Sequence, residues 1–195
     1  VAVKKLHYDY IFGNPPFIGA RMKSAAQADD MVAVFGKKWK NVGNLDYVAA
    51  WYKKCAQLLQ GTSTKAAFVS TNSICQGEQV ANLWAPLHKA GIRIDFAHRT
   101  FRWDSEASVK AHVHVVVVGF SCGGSGKKLI FDNGATIEAK NINAYLADAP
   151  DIFVYSRQHP IANVPEIGIG NKPIDGGNYL FEHEEMEEFI KQEPK

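Results

Sequence analysis

A chain of 195 residues is long enough to bury a real core in one domain, and its 46% hydrophobic and 22% charged content is that of an ordinary soluble globular protein. A formal charge of +2 is too small to announce a nucleic-acid partner, and no apolar run has membrane-spanning length or the form of a signal peptide. Cys55, Cys75 and Cys122 are odd in number and have no metal-ligand spacing, which fits a reducing cytoplasm.

In chain order, residues 8–12 (Tyr-Asp-Tyr-Ile-Phe) read as a buried strand. Residues 21–44 form a long connection with a short helix over 25–35. Asp46 reads as the cap of a helix that places Val48, Trp51, Cys55, Leu58 and Leu59 on one face and ends at Gly61. Residues 66–70 form a second strand. Residues 76–90 read as a helix with Val80, Leu83, Trp84 and Leu87 inward and Gly91 at its end. Pro86 inside it would cost about 3 kcal/mol in an unbroken helix, so a kink or two short helices is expected.

Residues 92–97 and 112–120 are the third and fourth strands, with Phe101, Arg102 and Trp103 between them. Beyond Phe120 come a Gly123-Gly124-Ser125-Gly126 turn and a hairpin of residues 129–131 and 136–138 around Asn133-Gly134. Residues 150–179 are rich in Pro, Gly and Asn with little periodicity, and an acidic helix over 182–191 closes the chain. Strands alternating with helices argue for an α/β sheet with helices on its faces. Such sheets place ligands beyond the carboxyl ends of their strands.

Asn14-Pro15-Pro16-Phe17 stands at one of those ends. Each prolyl ring fixes φ and removes a backbone donor, so the turn offers only acceptors there. The residue before a proline is held extended, which applies to both Asn14 and Pro15. An acceptor-lined ledge with an aromatic at its lip suits a flat, amino-bearing ring. The Asn14 side-chain oxygen and the Pro15 carbonyl would hold the two amine hydrogens, and Phe17 would stack on the ring.

The wider pattern resembles a known family. Gly13-Asn14-Pro15-Pro16-Phe17-Ile18-Gly19-Ala20-Arg21 is followed by Leu45-Asp46-Tyr47-Val48-Ala49-Ala50-Trp51 and then by Ser70-Thr71-Asn72-Ser73-Ile74-Cys75-Gln76-Gly77-Glu78-Gln79. His98-Arg99-Thr100-Phe101-Arg102-Trp103, the strand ending Val118-Gly119-Phe120, and Gly170-Asn171-Lys172-Pro173-Ile174-Asp175-Gly176-Gly177 complete it. In this order the motifs are similar to those of the MmeI-like DNA adenine methyltransferases, the modification portions of single-chain restriction–modification enzymes of bacteria.

The resemblance implies a partial Rossmann-like methyltransferase fold. It would comprise the C-terminal half of the sheet ending in an antiparallel strand, helices on both faces, and an irregular C-terminal tail. The implied division is 1–121 (catalytic half), 122–150 (hairpin and connector) and 151–195 (linker and start of a target-recognition region). It further implies methyl transfer from S-adenosyl-L-methionine to the N6 amine of an adenine flipped from double-stranded DNA, without a metal. Asn14, Pro15, Pro16 and Phe17 would be catalytic, with Asn14 also touching the cofactor. Phe101 or Trp103 would cover the second face of the base.

No glycine-rich methyl-donor turn precedes Asn14, so the chain reads as an internal fragment, inactive alone, whose donor half and recognition domain belong to the same polypeptide. An alternative keeps the chemistry but changes the acceptor to ribosomal RNA guanine or protein glutamine. A third reading, from another class, is a binding module without catalysis.

Arg21, Lys23, Lys37, Lys38 and Lys40 outnumber Asp29 and Asp30 in the 21–44 connection, which reads either as a basic flap for DNA phosphates or as a solvated loop. Arg99, Arg102 and Lys110 are further DNA-binding candidates. His112 and His114 share a strand face, but no third metal ligand is evident. Glu184, Glu185, Glu187 and Glu188 read as one solvated helical face.

Overall fold

A computed structural model describes residues 8–103, 113–124, 126–157, 159–164 and 180–192. Its strands are β1 (Tyr10–Gly13), β2 (Lys65–Thr71), β3 (Ile92–Trp103), β4 (Val113–Cys122), β5 (Lys128–Asp132) and β6 (Ala135–Ala139). They form one mixed sheet in the order β1-β2-β4-β3-β5-β6. β1 and β2 are parallel, and β4 lies antiparallel between β2 and β3. The hairpin of β5 and β6 extends the same sheet, because β5 pairs parallel to β3. Its turn has Asn133 and Gly134 both at positive φ, 47° and 81°, as a two-residue hairpin requires.

The helices are α1 (Ala25–Phe35), α2 (Ala49–Leu59), α3 (Gly77–Gln79) and α4 (Ala85–Lys89) in the first part, and α5 (His183–Gln192) near the end. Ser24 and Gln27 form a reciprocal capping box that starts α1, and Gly36 ends it. Met31 and Phe35 anchor α1 in the core, so the 21–44 connection is a docked helix with loops rather than an open flap.

Tyr52 of α2 is the hub of the core. Its ring meets Phe68, Phe120 and Trp84 at centroid distances of 5.3, 5.2 and 5.3 Å, and its hydroxyl pairs with Ser70 Oγ at 2.8 Å. These contacts lie on the face of the sheet that α2 covers. Of the two helical layers expected, the described residues show the one on this face. On the opposite face Ala67, Val69, Val117 and Phe96 are only half-buried, and Phe96 lies over Gly119, where any side chain would collide with its ring.

Four expectations give way. Residues 8–12 are not a buried strand: β1 starts at Tyr10, and Tyr10 and Phe12 are 70% and 84% exposed because they share with Lys65 and Ala67 the face of the sheet away from α2, which no described helix covers. Asp46 does not cap α2, whose first turn carries no side-chain cap. The inward face of α2 is led by Tyr52, while Leu58 is 55% exposed. Finally, Phe101, Arg102 and Trp103 belong to β3 itself, opposite Val115, His114 and Val113.

The Pro86 problem is solved by a π-helical turn, Val80–Trp84, between α3 and α4. Pro86 has no N–H for the Asn82 carbonyl one turn earlier. The indole N–H of Trp39 donates to that carbonyl instead, at 2.8 Å.

Residues 140–156 run back over the sheet, with Ile142, Ala144 and Leu146 buried. The Asn143 side-chain oxygen accepts from the Tyr145 and Ala147 amides, at 3.0 and 3.1 Å, which holds Leu146 at φ 59°. His88 meets Asp151 at 3.1 Å and packs edge-on against Phe153. By internal contacts the chain divides into Val1–Ser156 and Arg157–Lys195. In the second unit α5 is exposed throughout, and Phe181 stacks on Phe189.

Candidate functional site

The carboxyl ends of β1, β2 and β3 and the start of β4 lie along one edge of the sheet. Thr71 of β2 faces Val115 of β4, which faces Phe101 of β3. Gly13, the last residue of β1, pairs with Phe68, and the chain runs on past it as Asn14-Pro15-Pro16-Phe17.

Asn14 is exposed, and its side-chain amide makes no hydrogen bond to a described residue. Pro15 is buried, so the corner is fixed from behind. Phe17 is half-buried, with no ring partner among the described residues. An open groove of about 360 Å³ runs beside the corner, lined by Phe12, Asn14, Pro15, Pro16, Trp51 and Lys54 among others. Phe17, Phe101 and Trp103 do not line that groove.

The chain after the corner is stitched to the segment before α2. The Tyr47 amide donates to the Ile18 carbonyl at 2.9 Å, and the Ala20 amide donates to Asp46 Oδ1 at 2.8 Å. Asp46 is buried, and its other oxygen accepts from the Ser73 hydroxyl just past β2. The backbone amide of Asp46 donates to Gln79 Oε1 at 3.2 Å. Ser73 Oγ also pairs with Thr71 Oγ1 at 2.9 Å.

Reading the sequence alone missed this role of Asp46 and Ser73. The available signal was an acidic residue between Leu45 and Val48, both fully buried: a carboxylate among buried apolar neighbours needs fixed donors.

The basic candidates separate by environment. Lys23 is half-buried, and its ammonium donates to the carbonyls of Gly43 and Leu45. Burial pulls its pKa below the usual lysine range, with Asp46 opposing. It braces the same loop rather than reaching into solvent. Arg21, Lys37, Lys38 and Lys40 are exposed. Arg99 is engaged at the sheet edge, donating to the Leu146 carbonyl and to Asp132, both at 3.0 Å. Arg102 is exposed. Lys110 and His112, like the motif at residues 170–177, lie outside the described residues.

Of the aromatic candidates, Phe101 is half-buried and meets His98 edge-on at 4.6 Å, while Trp103 is 43% exposed. Among the described residues no cluster of His, Cys, Asp and Glu stands in a metal-ligating arrangement, and no helix is long and apolar enough to cross a membrane.

The model of the MmeI DNA-methyltransferase domain matches residues 2–132, and that of the MmeI target recognition domain matches residues 148–195. DNA methyltransferase A of Bacillus subtilis (strain 168) is 42% identical over 187 residues, which are 95% of this chain and 21% of that protein. The structure of the type IIL restriction-modification enzyme MmeI in complex with DNA superposes with a TM-score of 0.82 at 47% identity, covering 95% of this chain and 26% of that one. The chain therefore spans about a fifth to a quarter of the length of these relatives.

Proposed function

The chain belongs to the MmeI family of DNA methyltransferases, and from that premise we propose that it carries the amine-holding part of an adenine-N6 methyltransferase in a restriction–modification enzyme of the bacterial cytoplasm. The observation that carries this reading is the Asn14 amide, exposed and without a hydrogen-bond partner among the described residues, at a proline-fixed corner beside an open groove.

The exocyclic nitrogen of adenine is a poor nucleophile because its lone pair is delocalised into the ring. Two fixed acceptors, the Asn14 oxygen and the Pro15 carbonyl, take its two hydrogens and favour a more pyramidal nitrogen. They also face the positive charge that develops there, without reorganising during the reaction. The half-buried ring of Phe17 would stack on the base and fix its approach. A base in duplex DNA must leave the stack to reach this position. The nitrogen forms the new carbon–nitrogen bond as the methyl–sulfur bond breaks, and the extra proton then leaves the nitrogen for solvent.

S-adenosyl-L-methionine supplies, when bound, a methyl group on a sulfonium. The described residues fit one wall of its site: Asn14 and the groove beside it would receive the reacting end. On the face away from α2, β1 leaves Tyr10 and Phe12 open, a surface suited to the methyl-donor half of the polypeptide. Without that half the chain on its own is catalytically silent.

The proposed division remains 1–121 for the catalytic half, 122–150 for the connector and 151–195 for the start of target recognition. Phe101 or Trp103 is the proposed second wall for the base. Arg21, Lys37, Lys38, Lys40 and Arg102, with Lys110, supply sequence-independent contacts to DNA phosphates.

Incubating the intact enzyme with labelled methyl donor and, separately, duplex DNA, ribosomal RNA and a release-factor protein tests the acceptor. Label is expected in DNA alone; label in RNA or protein alone would replace this reading with one of the other acceptors.

A further inference from the structure

We propose that Asp46 is a positioning residue for the Asn14-Pro15-Pro16-Phe17 corner, acting through Ala20 and Ser73. The inference rests on the corner being the amine-holding site. A corner that works by fixed acceptors must itself be held fixed, and the prolines stiffen it only from within. Downstream of Phe17 the chain could swing, since Gly19 and Ala20 carry almost no side chain to pack.

Asp46 prevents that swing. One carboxylate oxygen takes the Ala20 amide at 2.8 Å, three residues past Phe17, and the other takes the Ser73 hydroxyl at the carboxyl end of β2. The carboxylate thus ties the loop leaving the corner to the strand beside it. Asp46 is 6% exposed, and its own backbone amide is held by Gln79, so the tie is anchored from below. The neighbouring Tyr47 amide donates to the Ile18 carbonyl at 2.9 Å, which makes Asp46 and Tyr47 a two-point clamp on residues 18–20.

Charge-assisted hydrogen bonds of this kind are about twice as strong as neutral ones. No other described side chain donates to or accepts from the backbone of residues 18–20. Because Asp46 lines no part of the groove, it acts on the reaction only through where it places the corner.

The test is a set of variants in the intact enzyme: Asp46→Ala, Asp46→Asn and Ser73→Ala, with Asn14→Ala as control. Reading kcat and KM for the methyl donor separately, with thermal melting and hydrogen exchange over residues 14–24, resolves the role. A small displacement of a reacting group costs on the order of 100-fold in rate. Asp46→Ala is therefore expected to lower kcat by roughly that factor while KM for the donor stays within about twofold. Exchange at residues 18–20 should rise.

Asp46→Asn keeps an acceptor for the Ala20 amide and should recover most of the rate. Ser73→Ala should give a smaller loss of about threefold to tenfold, the size of one modest hydrogen bond. If Asp46→Ala fails to fold, the other two variants still decide. Wild-type kcat and unchanged exchange in both of them overturn the proposal, as does an Asp46→Asn enzyme as slow as Asn14→Ala. An inactive Asn14→Ala beside fully active Asp46 variants sinks this inference alone, whereas a fully active Asn14→Ala sinks the reading of the corner.

Discussion

Phe12 and Phe68 stand on adjacent parallel strands, yet Phe12 is 84% exposed and Phe68 is 4% exposed. The two differ in their neighbours, not their chemistry. Phe68 has Tyr52 and Phe120 at ring distances of 5.3 and 5.7 Å, and β2 is flanked by β1 and β4. β1 has a partner on one side only, and the side that carries Phe12 meets no described helix. The centre of the sheet is therefore finished within this chain, whereas its β1 edge presents an apolar surface of the kind that marks an interface. The corner proposed to hold the amine sits at the boundary between the two.

Substitutions can sharpen that contrast. The largest stability effect is expected from Phe120→Ala, which empties the centre of the Tyr52 cluster and should cost about 3–5 kcal/mol in denaturant unfolding. Phe12→Ser should change the stability of the 195-residue chain by no more than about 0.5 kcal/mol, as an exposed substitution does. The same change in the intact enzyme should cost clearly more if the donor half covers that edge. Equal, small costs in both settings would break the proposed docking.

Trp39→Phe strips the donor from the Asn82 carbonyl and should cost about 1–3 kcal/mol, the penalty for an unsatisfied buried acceptor. The smallest effect is a difference in labelling at pH 8. Burial pushes the Cys55 thiol up to about 12 and the Cys75 thiol higher still, so neither forms much thiolate in the folded chain. Cys122, half-buried near the β4 end, should be modified well before them. Rapid labelling of Cys55 or Cys75 would show that the centre is looser than described.

Much of this was legible in the residues. The strands at β2 and β4 and the Asn133-Gly134 hairpin carry local signals: apolar runs of strand length, and a turn dipeptide that tolerates positive φ. The corner was legible because proline chemistry acts on its own residue and the one before. What escaped was decided by partners distant in sequence. The exposure of β1 depends on what flanks it. The tie from Asp46 to Ala20 and Ser73 spans 26 and 27 residues. The extension of β3 through Trp103 depends on pairing with β4, which no pattern in Phe101-Arg102-Trp103 announces. Lys23 shows the same limit: its charge was visible, but its use on two backbone carbonyls was not.

The most direct test of the central claim is methyl transfer to duplex DNA by the intact enzyme, wild type against Asn14→Ala, with the modified nucleoside identified by mass. We expect labelled N6-methyladenine from the wild type and a rate lower by roughly 100- to 1,000-fold in the variant, the usual cost of losing one preorganised polar group that stabilises the transition state. Wild-type turnover by Asn14→Ala, or label on a different base, would contradict the account.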